Sequence, residues 1–515
     1  MKNVSFASPV AQALFTSIFL VATAGLARGQ VTNLESLGST GVPGNGWSQD
    51  ARLAAGGSIV VFASSANNLV PGDTGGTDIF LRDHNTGGLQ RISVRADGGQ
   101  SLGAHWHPDV TPSGRFVVWS SDATSLLDSP TSGRQIFLRD RDSDGDGVFD
   151  QPGGVRVELI SRSTAGTQAN GACGMPSISA DGRYVAFQSD ASNLVPSDAN
   201  ANTDVFLRDR LTGSTLRISS TSGGASGQGL SNVAGISRNG TFVVFQSNAP
   251  DLISGDTNGT TDVFRYSILG GIIERVSESS AGLQLPVGSV LGSEAIVGAC
   301  ISADGRHVVF QTGSPNAVPG DTNDQIDVFV RDMISGAVTL ISNRGDGDQT
   351  QYPSISPTIS ADGRFVLFAT QDPLVVPGDT NRRQDVFRRD RDPDGNGVFD
   401  EAQPTAVRRV SVGSGGLQST LSCYGGRVSD NGLQVVFTTT AGNLVPGDTN
   451  GFTDVFTTVL SSACAADWDL SGAVDGDDLI AFLGDWDAGN ADADSSGVTD
   501  GDDVIAFFIR WDTGC

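Results

Sequence analysis

Two stretches near the C-terminus place oxygen donors at the alternate positions that a many-coordinate cation requires. In Asp467–Trp486 (DWDLSGAVDGDDLIAFLGDW), Asp467, Asp469, Ser471, Asp475 and Asp478 fall at positions 1, 3, 5, 9 and 12 of a loop with Gly472 at position 6. The pattern returns 25 residues later in Asp492–Trp511, as Asp492, Asp494, Ser496, Asp500 and Asp503 around Gly497. Position 7, which donates a backbone carbonyl in EF-hand loops, falls on Ala473 and Val498. Several carboxylates converging on one centre suit Ca²⁺, whereas Zn²⁺ would call for His or Cys. A merely solvated acidic run need not be duplicated, nor followed each time by a helix-period apolar stripe. Both hold here, with Leu479, Phe482, Leu483 and Trp486 after the first loop and Val504, Phe507, Phe508 and Trp511 after the second.

Two further loops share part of this pattern. Asp142, Asp144, Asp146 and Asp150 in DSDGDGVFD, and Asp392, Asp394, Asn396 and Asp400 in DPDGNGVFD, match it except for a carboxylate at position 12. They read either as extra calcium loops or as rigid Asx-rich turns. The segment HWHP sets His105 and His107 at alternate positions around Trp106, predicted in a loop entering an innermost strand. Corresponding loops carry Trp47, Tyr352 and Tyr424, and also Cys173 and Cys423, which are expected too far apart to bond. Such a rim could stack on sugar rings or grip a peptide, and ordinary rim packing would explain the same residues. The motif H-E-x-x-H and the phosphate-binding P-loop do not occur, and no catalytic residue is assigned.

The formal net charge of −26 disfavours nucleic acid and anionic lipid as partners. Nearly half of that charge lies in Cys464–Cys515, where thirteen Asp face one Arg. Residues 1–29 have a basic Lys2, a short apolar run and small residues near Ala27, and read as a cleaved secretory signal without a transmembrane span. Export permits disulfides, and Cys464 and Cys515 bracket the acidic tail, so a bridge between them is expected. It would stabilise by roughly 4 kcal/mol in the chain-entropy model.

These chemistry-bearing loops hang on a repeat. ISADGRYVAFQS (Ile178–Ser189) recurs as ISRNGTFVVFQS, ISADGRHVVFQT, ISADGRFVLFAT and VSDNGLQVVFTT, with weaker copies VTPSGRFVVWSS and LAAGGSIVVFAS, which makes seven units. Each unit reads as four short strands: a hairpin around Asp-Gly or Asn-Gly, a strand apolar on both faces, a polar loop, DVFLRD, a turn and TLRIS. A sheet buried on both faces needs similar sheets on either side, and a ring of blades supplies them. The recurrent Asp78, Asp204, Asp262, Asp327, Asp385 and Asp454 read as turn and ion-pair residues, since catalysis needs one asymmetric constellation. The loop PGDTNG offers Asp448, Asn450 and Asp454 either to a cation or to turn chemistry alone.

The seventh unit ends at TDVFTTVL without its last strand. VTNLESLGSTG (Val31–Gly41) aligns with the outermost strand STLRISSTSGG (Ser214–Gly224), so the N-terminal strand is expected to close the last blade.

The ISxDGRxVxF…DVFxRD units resemble the WD40-like (PD40) repeats of TolB-type β-propellers over residues 31–460. The tail, residues 464–515, resembles a dockerin: tandem loop-helix halves, Asp at position 12 and no entering helix. It departs from the cellulosomal pattern at Gly476-Asp477 and Gly501-Asp502, where small hydroxyl residues are usual. The expected fold is all-β, a seven-bladed propeller of four-stranded blades, followed by a small α-helical calcium-binding domain. The resemblance implies calcium as cofactor, a cohesin-type or other surface anchor as protein partner, and an extracytoplasmic location. A binding or scaffold role is expected for the propeller, with a glycan or peptide ligand. The alternative is a polysaccharide-active enzyme or accessory protein.

Overall fold

The computed structural model describes residues 30–292, 300–401 and 406–460. The leader 1–29, the calcium loops of 464–515 and the expected Cys464–Cys515 bridge lie outside the described residues. Most of the described chain belongs to one compact unit, Thr32–Gly413 with Leu417–Leu460. Its strands form seven four-stranded sheets and one two-stranded ribbon, Val412–Gly413 with Leu417–Gln418. Among the described residues there is no α-helix, only the 3-10 turn Ala55–Gly57. The fold is an all-β, seven-bladed propeller.

Blades one to six span residues 48–91, 105–159, 173–217, 231–275, 289–340 and 354–409. Blade three is representative, with antiparallel strands Cys173–Ile178, Tyr184–Ser189, Asp204–Asp209 and Ser214–Arg217 in sequential order. First strands pack against first strands of neighbouring blades, so these strands converge at the centre. One aromatic from the second strand stacks on one from the third in every blade, as Phe187 on Phe206 at 5.9 Å and Phe437 on Phe456 at 5.8 Å. All of these rings are buried. Each stack adds about 0.5–1.5 kcal/mol beyond area burial.

The hairpin glycine between first and second strands does two jobs. It adopts a positive φ, and its bare Cα presses on the preceding blade. A Cβ on Gly432 would stand 2.0 Å from Phe365, and one on Gly57 1.7 Å from Gln434 of blade seven. The second contact joins first blade to last and closes the ring.

Blade seven takes its fourth strand from the other end of the chain. Its order is Val31–Leu34, Asp454–Val459, Gln434–Thr439, Cys423–Val428. Glu35 donates its amide to Val455 O (2.8 Å), as Ile218 does to Val205 O in blade three (2.9 Å). Ser36 Oγ donates to Asp454 (2.5 Å), matching Ser219 on Asp204 (2.6 Å). The expected alignment therefore holds residue by residue.

The seam is more polar than the other joints. Where blade three buries Ile218, blade seven buries Glu35, fully enclosed, with one oxygen on the Thr457 hydroxyl and the other 3.0 Å from His84 Nε2 of blade one. Arg82 Nε lies 3.5 Å from the same carboxylate. The Glu35 hydrogen bond raises His84 above its usual 6.5, against an opposing desolvation effect.

Both the glycine contact and the seam histidine can be tested. Gly432→Ala should destabilise the propeller by about 1–3 kcal/mol through overpacking on Phe365, measured by urea unfolding. Because His84 has a raised folded pKa, its contribution is fully present below the unfolded value near 6.5 and is lost as pH rises through the folded one. Thermal midpoints should show that decline for the wild type and a flatter profile for His84→Asn. Coincident profiles would contradict the seam contact.

Candidate ligand and metal sites

The first strands carry the features that vary between blades. Each of blades one, two, three, four, six and seven has a register slip in this strand, as between Trp106 and Asp109 against the neighbouring Phe116–Ser121. At the slip Asp50, His107, Met175, Ser356 and Gly425 take positive φ, from 50° to 67°. For four non-glycine residues that backbone is uncommon, and the bulge re-aims the side chains beyond it.

HWHP is not a loop: His105–Val110 is a strand, and the slip after Trp106 sends its two histidines to different environments. His105 is fully buried, with Nδ1 accepting from Trp119 Nε1 (3.1 Å) and Nε2 paired with the Ser101 hydroxyl (3.1 Å). Burial pushes its pKa down to about 3, so it is a neutral core residue and leaves the predicted rim. It occupies the register position at which Ser48, Ser231, Ser289 and Ser354 face Ser64, Ser247, Thr312 and Thr370. Cys173 and Cys423 occupy it too, and Cys173 Sγ lies 3.1 Å from the Ser189 hydroxyl. Burial raises both thiols to about 12.

The remaining rim residues stay at the starts of first strands. Tyr352 and Tyr424 are exposed, at 45% and 53%, while Trp47, Trp106 and His107 are half-buried. The Arg134 guanidinium covers the Trp106 ring at 4.4 Å, and His107 Nδ1 lies 3.3 Å from the Ser120 hydroxyl.

The opposite ends of these strands lead to the hairpin turns, which bond to one another from blade to blade, as Ala55 N to Pro112 O (2.7 Å) and Ala303 N to Ala361 O (2.7 Å). Here Arg238 of blade four donates to Val110 O of blade two (3.2 Å) and pairs with Asp430 of blade seven (3.3 Å). Blades four and seven stand across the ring from each other, so this side chain spans the axis. Deeper in, Arg52 and Arg427 are buried together, and Asp109 meets Arg52 at 4.0 Å, Ser177 Oγ at 3.1 Å and Ile178 N at 3.0 Å. Desolvation lowers both guanidinium pKa values, Arg427 further through its proximity to Arg52. None of these groups was singled out from sequence. The available signal was departure from the repeat: Arg238 and Asp430 replace Ala of ISADG.

In the first Asp-rich loop, Asp142, Asp144 and Asp146 offer carboxylate oxygens within 4.8 Å of one another. Gln151 Nε2 donates to Asp144 (3.0 Å) and Asp146 (2.5 Å). Asp150 does not join them, because it is held by Arg139 (3.1 Å) and Arg141 (2.7 Å). The second loop repeats this division. Asp400 pairs with Arg391 (2.6 Å), Asn396 donates to Asp394 (2.9 Å), and Asp392 is buried with an unbonded Oδ1. The convergent carboxylates of Asp142, Asp144 and Asp146 fit a hard cation, whereas Asp150 and Asp400 serve the blades.

The recurrent third-strand Asp residues have structural partners. Asp204 accepts from Ser219 and from Asn200 Nδ2 (3.0 Å), and Asp327 and Asp385 have the same environment. Burial raises Asp78, Asp385 and Asp454 to about 6.

Among solved structures, the chain is similar to the putative TolB from Agrobacterium tumefaciens (15% identity, 61% of this chain and 89% of that one, TM-score 0.34). It is also similar to an oligogalacturonate lyase in complex with manganese (12% identity, 85% and 99%, TM-score 0.46). The β-propeller domain of the trilobed protease from Pyrococcus furiosus matches at 10% identity over 81% and 96%, with a TM-score of 0.46. No protein-family model matches the chain, and no curated protein does.

Proposed function

We propose that this protein is an exported, calcium-dependent recognition protein. Its propeller binds a glycan or peptide at the mouth formed by the starts of the first strands. Its C-terminal loops bind calcium and dock on a surface anchor of the cohesin kind. The observation that carries the recognition half is the asymmetry of the ring: Arg238 spans one end, while Tyr352 and Tyr424 stand exposed at the other, with Trp47 and Trp106 beside them. Aromatic faces with neighbouring polar groups suit stacking on sugar rings or gripping a peptide. The docking half rests on the duplicated loops beginning at Asp467 and Asp492. The triad Asp142, Asp144 and Asp146 adds a calcium loop within the propeller itself.

Glycan and peptide arrays probed with the full-length protein should identify a ligand, and Tyr352→Ala with Tyr424→Ala should weaken it about tenfold or more at unchanged circular dichroism. A ligand indifferent to both changes would remove the mouth from the account. Release of shortened oligosaccharides would replace recognition with the polysaccharide-active reading. Capture on a cohesin-bearing surface should be lost in EDTA, and Asp467→Asn with Asp492→Asn should reproduce that loss. Capture untouched by EDTA would contradict calcium-dependent docking.

A further inference from the structure

Six blades bury a pair of aspartates, one from the polar loop and one opening the third strand, and in four of them an arginine bridges the pair. In blade one, Arg91 Nη1 lies 3.2 Å from Asp73 Oδ1 and 3.6 Å from Asp78 Oδ2. In blade three, Arg217 Nη1 lies 3.0 Å from Asp198 Oδ1 and 3.9 Å from Asp204 Oδ2. Arg275 and Arg409 do the same in blades four and six. Each arginine pairs in register with the third-strand aromatic, as Arg217 with Phe206. Blade two, whose third strand opens on Gln135, lacks the acid there and has Leu159 at the arginine position. In these five blades acids and arginine are kept or lost together.

Blade seven departs from this, as does blade five. Blade seven keeps Asp448 and Asp454, both buried, but its N-terminal strand brings Leu34 to the arginine position. Blade five also has a leucine there, Leu340. Blade five still holds amide and hydroxyl donors, since Gln349 reaches Asp321 and Thr350 Oγ1 lies 3.3 Å from Asp327. In blade four, Gln284 Nε2 donates to the loop aspartate's Oδ1 at 2.8 Å. The residue at that bridge position in blade seven is Pro43, which has nothing to donate. Asp448 Oδ1, the atom that arginine or glutamine meets elsewhere, is buried with no hydrogen-bond partner, and the residue is 6% exposed. Asp454 is fully enclosed, with Ser36 on Oδ1 and Asn450 Nδ2 on Oδ2. Two neighbouring buried carboxylates without a counter-charge are costly.

We propose that the seam blade binds a divalent cation between Asp448 Oδ1 and Asp454 Oδ2, in the place that an arginine takes in four other blades. An all-oxygen set with two carboxylates fits calcium, with water completing the shell. Asn450 is not a ligand through its amide nitrogen, which is committed to Gly44 O and Asp454. The ion would lock the borrowed strand, because Asp454 also holds Ser36, two residues beyond that strand. This site is separate from the tail loops and from the Asp142 loop.

The test counts calcium on metal-stripped full-length protein by equilibrium dialysis against calcium chloride. Leu34→Arg, which supplies the missing guanidinium, should lower the count by one ion per chain and make the calcium-free thermal midpoint higher than that of the wild type. Asp448→Asn should also lose one ion, and it decides the matter if the arginine variant does not fold. Leu34→Met, which adds length without charge, should leave the count unchanged. Failure of the tail loops would lower every variant's count equally and so is distinct from failure here. Equal counts in the wild type, Leu34→Arg and Asp448→Asn would overturn the seam site, as would an equal loss in Leu34→Met.

Discussion

A four-stranded sheet that is apolar on both faces has no stable free edge or face, and everything else in this molecule depends on satisfying that constraint around a closed ring. Twelve or more large aromatic and aliphatic side chains lie wholly inside the walls. They can do so only if every blade has a neighbour on each side, including the first and the last. The backbone pairing of Glu35 with Val455 and the Gly57–Gln434 contact supply the final neighbour. Closure therefore converts seven marginal sheets into one cooperative wall.

The seam meets this constraint with different chemistry from the other joints. A strand drawn from the far end of the chain places Leu34, Glu35 and Pro43 where four other blades have arginine, all have a branched aliphatic residue and most have glutamine. Glu35 turns toward His84 and Arg82 of blade one, while Asp448 Oδ1 lacks the donor its counterparts meet in other blades. The joint that holds the ring shut is thus also its most charge-sensitive part.

Much of the fold was legible because repetition exposes it. The aligned aromatics, the Asp-Gly turns and the missing last strand gave blade count, strand order and closure, and VTNLES maps onto STLRIS without a shift. The site was less legible, for physical reasons. His105 looked like a rim residue because two histidines two apart share a face in any regular strand. The strand slips after Trp106, and His105 falls on the buried Ser position, where it bonds Trp119 and Ser101. Asp150 and Asp400 matched a calcium spacing, but arginines distant in the pattern claim them. The Arg238–Asp430 pair joins residues 192 apart, and no local pattern encodes a contact across a ring axis.

The central claim is that the strand Val31–Leu34 closes the seventh blade in the register that sets Thr32 beside Thr458, whose hydroxyl oxygens lie 3.1 Å apart. Replacing both threonines with cysteine in the full-length protein and mapping disulfide-linked peptides by mass spectrometry tests it directly. A spontaneous Thr32→Cys/Thr458→Cys cross-link in the folded, monomeric protein is the expected result. Absence of that cross-link under oxidising conditions, or preferential linkage between separate chains, would contradict the closed ring.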